Sequence, residues 1–150
     1  MVDIISDTRS TKTPWHLWVV GVVSLLWNGF GAYDFVMSTT QGDAYFRASG
    51  MSEAMIAYFH AMPGWMMVPW VMGVWGAVIG SVLLLLRMKL ATPVFAVSLV
   101  GAVVSMIYQY ALSNGIEIAG GMAVMPAIIA AIAAFLVWYA WAMAKRGVLR

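Results

Sequence analysis

Cysteine is absent from the 150 residues. That absence excludes disulfides, thiol redox chemistry, thiolate metal sites and iron–sulfur clusters together. Charge is nearly as scarce. Asp, Glu, Lys and Arg make up 9% of the chain, against about 25% in a soluble domain. So few charges cannot cover a water-facing surface, and a chain that is 63% hydrophobic finds its natural solvent in lipid. The net charge of +2 is too small and too dispersed for a nucleic-acid partner. Phosphate loops, nucleophile–base constellations and redox motifs are lacking too, so the chain does not read as an enzyme. Histidine occurs only as His16 and His60. The topology below puts them on opposite sides of the membrane, so they cannot jointly hold a haem. No histidine lies at ligand spacing from Asp34 or Glu117, and neither a metal site nor any other cofactor is expected. The thirteen methionines are scattered and read as adaptable packing.

What the chain does have is four long apolar runs, at about residues 15–37, 64–86, 93–112 and 121–143. Each can cross a hydrocarbon layer of roughly 30 Å at about 1.5 Å per residue. Continuous apolar runs exclude the alternating strands of a barrel. The expectation is an all-α integral membrane protein. It has a single domain over residues 1–150, a four-transmembrane-helix bundle behind a short polar tail at 1–13. The first run is too long for the core of a cleavable signal. Arg9, Lys12, Arg87, Lys89, Lys145, Arg146 and Arg150 fall on one side of the membrane and Arg47 alone on the other. The positive-inside rule then puts both termini in the cytoplasm.

The first outer loop, 38–63, contains SEAMIAYFHAM at 52–62. Ser52 is a helix cap, and Met51, Met55, Phe59 and Met62 share one face. The spacing predicts a short amphipathic helix on the outer surface or over the bundle mouth. The second outer loop, near 113–120, is short. Spans one and three both open with Thr-Pro (Thr13-Pro14, Thr92-Pro93) and run through Gly and Ser to an aromatic–amide pair, Trp27-Asn28 and Tyr108-Gln109. Spans two and four carry Pro69 and Pro126 near their outer ends and stop at basic residues. This pattern suggests a parallel two-plus-two duplication, although caps, prolines and basic stops recur in membrane helices generally.

Lipid gives helices no hydrophobic reason to associate, so small residues must let them approach. Gly73, Gly76, Gly80 and Ser81 supply such a face on span two, and Ser98, Gly101, Ser105 and Gln109 supply one on span three. Gly21, Ser24, Asn28, Gly31 and Phe35 align on span one, and Ala123, Ala127, Ala130, Ala131 and Ala134 line span four. The Gly76–Gly80 pair fits either internal packing or homodimerisation.

Counted from Trp15, Asn28 lies about 20 Å across the membrane and Asp34 about 29 Å. Asp34 therefore sits near the headgroups, whereas the embedded Asn28 needs a partner, and Gln109 is expected at the same depth. A structural Asn28–Gln109 hydrogen bond is one reading. The functional reading is a polar and aromatic ligand pocket in the outer half of the bundle, built from Trp27, Asn28, Tyr33, Asp34, Trp70, Trp75, Tyr108 and Gln109, with His60 and Glu117 near its top. Flat rings and a few amides or carboxylates suit a small neutral, sugar-like solute. Pro69 and Pro126 are expected to open their helices toward it.

The stretches PWHLW, LLWNGFGAYD, GVWGAVIGSVLLLLR and VSMIYQY occur in that order over nearly the whole chain. In this it resembles a group of small bacterial four-span inner-membrane proteins whose members often bear the label "sugar transporter". The resemblance implies a multi-pass protein of the bacterial inner membrane and brings no set of functional residues. The Pro-Gln motif of small sugar carriers built from three-helix repeats is absent. Two readings follow. One is a solute carrier or binding protein, as a homodimer. The other is an accessory subunit or assembly factor docked on a larger membrane complex, with the Gly76/Gly80 ridge against a different chain.

Overall fold

A lipid-embedded backbone must satisfy its own hydrogen bonds, and the chain does so with helices throughout. The computed structural model describes residues 12–150, so most of the predicted tail, with Asp3, Asp7 and Arg9, lies outside the described residues. Helix α1 spans Trp15–Thr40, α2 Asp43–Ala48, α3 Glu53–Ala61, α4 Met67–Leu85, α5 Ala91–Ile107, α6 Gly115–Ala119 and α7 Met125–Lys145. No strand occurs among the described residues. Four helical stretches are long and apolar enough to cross a membrane: Trp15–Thr40, Gly64–Leu85, Ala91–Leu112 and Gly115–Lys145.

Helix α1 outruns its predicted end because its last turn supplies its own polar partners. The Thr39 hydroxyl donates to the Phe35 and Val36 carbonyls (2.9 and 3.1 Å), and the Thr40 hydroxyl donates to Val36 (2.6 Å). The expected Thr-Pro caps are not used. Helix α1 starts after Pro14 with no side-chain cap, and α5 starts at Ala91, leaving Thr92 inside it with a buried, unpartnered hydroxyl. Nor do the prolines open their helices. Pro69 falls in the first turn of α4 and Pro126 at the start of α7, where backbone N–H groups have no intrahelical partner to lose.

The four spans form a row. Helix α1 packs on α4, α4 on α5 and α5 on α7. The tightest crossing is at Gly101, where an added Cβ would lie 2.4 Å from the Pro69 carbonyl oxygen and 2.6 Å from the Gly73 nitrogen. Beside it the Ser98 hydroxyl donates to the Gly73 carbonyl (2.7 Å). Gly76 faces Ser98, and Gly80 faces the ring of Phe95. The Gly76–Gly80 ridge is thus filled by α5 of the same chain, which removes it as a surface for a second copy or a foreign subunit. Ser105 is half-buried farther along α5. On α7, Ala130, Ala133 and Ala140 are buried while Ala131 and Ala134 are exposed, because the predicted alanine line covers more than one helical face.

Helices α1 and α7 close the row at one end only. There His16 Nδ1 pairs with the Tyr139 hydroxyl. Leu17, Leu84, Phe95, Leu136 and Tyr139 form a core with Val148 and Leu149. A two-way backbone clasp holds those last residues: Arg150 N–H donates to the Arg87 carbonyl (2.7 Å) and Lys89 N–H to the Arg150 carbonyl (2.8 Å). Arg87 ends α4 in the left-handed region, φ 59°, with Met88 N–H reaching back to the Leu83 carbonyl (2.9 Å), a Schellman closure. Away from this basic end α1 and α7 part. A parallel two-plus-two repeat would pack α7 on α1 as closely as α4 on α5, and the packing does not show that relation.

At the opposite, loop end, α3 has the predicted extent and cap, with Ser52 Oγ accepting from Met55 N–H (3.2 Å). Its Ile56 and Tyr58 are buried, and Met51, Met55, Phe59 and Met62 are half-buried. Helix α2 was not anticipated, nor were α6 and the π-helical continuation of α5 over Tyr108–Leu112. The sequence does carry a signal for α2. Gly42 takes a left-handed φ of 56° before Asp43 in the first turn, and Arg47 sits in the last, each charge on the favourable side of the helix dipole.

Candidate functional site

The side chains expected in one outer-half pocket lie in separate places. Asn28 is buried on α1 and faces α4, so its amide donates to Ser81 Oγ (2.9 Å) and to the Ala77 carbonyl (3.3 Å). The expected Asn28–Gln109 bond is absent for a topological reason. Helix α1 packs on α4, and Gln109 belongs to the π-helical end of α5. Trp27 faces outward, on a groove between α1 and α7. Tyr33 is exposed and meets Tyr45 edge-on at 6.4 Å. Asp34 accepts from the Tyr45 hydroxyl (2.7 Å), and that bond holds the Tyr45 phenol above its ordinary pKa. Trp75 and Trp70 both flank Phe35, with ring centroids 6.1 and 4.7 Å from it.

Tyr108 is buried in a second aromatic group, edge-on to Trp65 at 5.8 Å and beside Tyr58 at 6.4 Å. Ser113 ties this group together. Its hydroxyl donates to the Tyr108 carbonyl (2.8 Å) and so accepts from the Tyr58 hydroxyl (2.8 Å). Gly115 lets the group close up, since a Cβ there would lie 2.8 Å from the Tyr58 oxygen and 3.1 Å from the Gln109 carbonyl oxygen. Burial raises the Tyr58 pKa, so the phenol stays a neutral donor. These contacts dock α3 onto the end of α5 and explain Tyr108 as structure.

One concavity at the loop end does collect polar and aromatic side chains. It is a bowl of about 310 Å³ beneath α2 and α3. Its aromatic wall is Phe46 and Phe59, stacked at 5.3 Å with 18° between their planes, with Trp70 of α4 below. Ser38 and Thr39 bring hydroxyls from the end of α1. The rim carries Asp43 and His60, paired at 2.7 Å between Oδ1 and Nε2. A second pair, this one bidentate, joins the same two helices outside the bowl: Arg47 with Glu53 at 2.9 and 3.2 Å. Of the predicted site residues only Trp70 lines this bowl. His60 does so as well, while Glu117 is exposed on α6 away from it.

The bowl's acid and its imidazole bond to each other at the rim, and the remaining walls are the three aromatic rings, the Ser38 and Thr39 hydroxyls and the apolar side chains of Met62, Pro63, Met66 and Met67. No group of three or more His, Asp or Glu side chains suited to a metal comes together among the described residues. No protein-family model, no curated protein and no solved structure matches this chain.

Proposed function

We propose that the chain is a multi-pass membrane protein that binds a small neutral, hydroxyl-bearing solute in the loop-end bowl. The observation that carries this reading is the juxtaposition of the Phe46–Phe59 stack and Trp70 with the Asp43–His60 pair and the Ser38 and Thr39 hydroxyls. Aromatic faces pack on the apolar face of a sugar-like ring while carboxylate, imidazole and hydroxyls bond to its edges. The volume is at the small end of ligand sites, which suits a single ring.

The positive-inside distribution of Lys and Arg supports an outward-facing bowl and cytoplasmic termini. The resemblance in sequence supports a bacterial inner membrane. The packed core at the basic end closes the single bundle below the bowl, so the reading is a binding protein first, and passage across the membrane would need that end to open. Docking as an accessory subunit through the Gly76/Gly80 ridge is not favoured, because Phe95 and Ser98 occupy it. A homodimer or larger complex would have to use another face.

The test is tryptophan fluorescence of the purified protein titrated with neutral monosaccharides and polyols. Wild type should show a saturable change with at least one of them. Trp70→Ala and Asp43→Asn should each weaken affinity by about tenfold, equivalent to ~1.4 kcal/mol. A flat wild-type response across the panel would remove this function.

A further inference from the structure

The parting of α1 and α7 leaves a lateral groove of about 320 Å³ lined by Val19, Val23, Ser24 and Trp27 on one side and Ile132, Phe135 and Leu136 on the other. No polar atom faces into it. Even Ser24 turns its hydroxyl onto its own helix, donating to the Gly21 carbonyl (3.0 Å). The groove lies within two membrane-spanning helices, so a water-borne solute cannot be its occupant. From Val19 to Trp27 it runs about 12 Å along the helix, and it starts about 6 Å inside Trp15. That range, from about 6 to about 18 Å, begins within the leaflet on the basic end, whose hydrocarbon is about 15 Å deep, and ends just past the midplane. A protein helix is about 10 Å across, too thick to sink into a slot of this volume, whereas an acyl chain is a single methylene wide.

The basic end supplies the matching headgroup chemistry. On α7 the positions Ile132, Phe135, Tyr139, Ala142 and Arg146 recur at helical spacing, so the groove wall leads along one face to an exposed Arg146. On α1 the stripe Trp27, Val23, Val20, His16 leads to the same end, where His16 and Tyr139 pair across the groove's threshold. Exposed Trp15 and Trp138 flank it, the residues expected at a headgroup boundary.

We propose that the α1–α7 groove is a binding site for one anionic phospholipid of the leaflet at the basic end, with an acyl chain lying between Val23 and Phe135 and the phosphate drawn to Arg146. The site is independent of the solute bowl, which lies at the other end of the molecule.

The experiment is native mass spectrometry of the full chain released from nanodiscs of equal phosphatidylglycerol and phosphatidylcholine. Wild type should retain one phosphatidylglycerol in preference to phosphatidylcholine. Arg146→Gln should lower that preference by about fivefold, the effect of one basic residue at an anionic surface, and Arg146→Lys should restore it. Val23→Trp, a change at a position already facing lipid, should fill the groove and abolish retention. The proposal is overturned if wild type keeps no lipid, if the preference survives Arg146→Gln, or if Val23→Trp instead dissolves a dimer of this chain.

Discussion

Asn28 shows how the partner of a buried amide decides what its loss costs. The amide bonds Ser81, but the Ser81 hydroxyl also donates to the Ala77 carbonyl at 2.8 Å. Removing Asn28 therefore leaves no orphan behind. Asn28→Ala should destabilise the bundle by only about 1 kcal/mol, measured by denaturation from mixed micelles. It should couple with Ser81→Ala in a double-mutant cycle and add without coupling to Gln109→Ala. On the surface, hydrogen bonding and charge from Arg47 hold the Glu53 carboxyl below its ordinary value near 4.5. A depressed carboxylate stabilises the fold above that ordinary value and loses the contribution as pH falls through its lower folded one. The α2–α3 junction should therefore loosen on acidification below about pH 4.5, seen in the NMR shifts of α3 amides. The effect should be small, because both side chains are exposed, and Arg47→Gln should remove this part of the response.

At the scale of elements, the glycines rank themselves by what surrounds them. Gly101→Ala drives a Cβ into the backbone of α4, and backbone cannot turn aside; the cost should be about 2–3 kcal/mol. Gly80→Ala meets the Phe95 ring at 2.6 Å and should cost less, since a side chain can tilt. Gly76→Ala meets Ser98 Cβ and backbone at 3.2–3.3 Å and should cost less than Gly101→Ala, since a shift of a few tenths of an ångström relieves the contact. Gly31→Ala meets nothing within 4 Å and should stabilise α1 by up to about 1 kcal/mol through helix propensity. A denaturation series in one detergent system checks the order. The four spans, the small-residue faces of α4 and α5, and the Ser52-capped helix were legible in the sequence, because length, hydropathy, residue size and capping are local signals. The boundaries of α1 and α5 were not, because Thr39 and Thr40 extend one helix and the Met88–Lys89 turn begins the other early. The π-helical end of α5 left no local mark, since Ser113 and Tyr58 hold it from outside the segment.

At the scale of the molecule, the site was less legible than the fold. Depth along a helix can be counted from sequence, but which helix stands beside which cannot, and the pairing of Asn28 with Gln109 failed on that point. Trp70 and His60 could be nominated by depth and loop position. Asp43 and Phe46 could not, because they reach the bowl through the unforeseen α2. Orientation is testable on the whole chain, which has no cysteine of its own. In intact cells a membrane-impermeant maleimide should label Ser49→Cys directly and Lys89→Cys only after permeabilisation. The reverse pattern would invert the topology. The clasp between Arg150 and the Arg87–Lys89 turn bears on biosynthesis. Val148 and Leu149 follow all four spans in the chain, yet they complete a core shared with Leu17 at its other end. A ribosome delivers α1 to the membrane long before it delivers that closing piece. The nascent bundle must therefore wait with its basic end unsealed until the residues after α7 are delivered to close it.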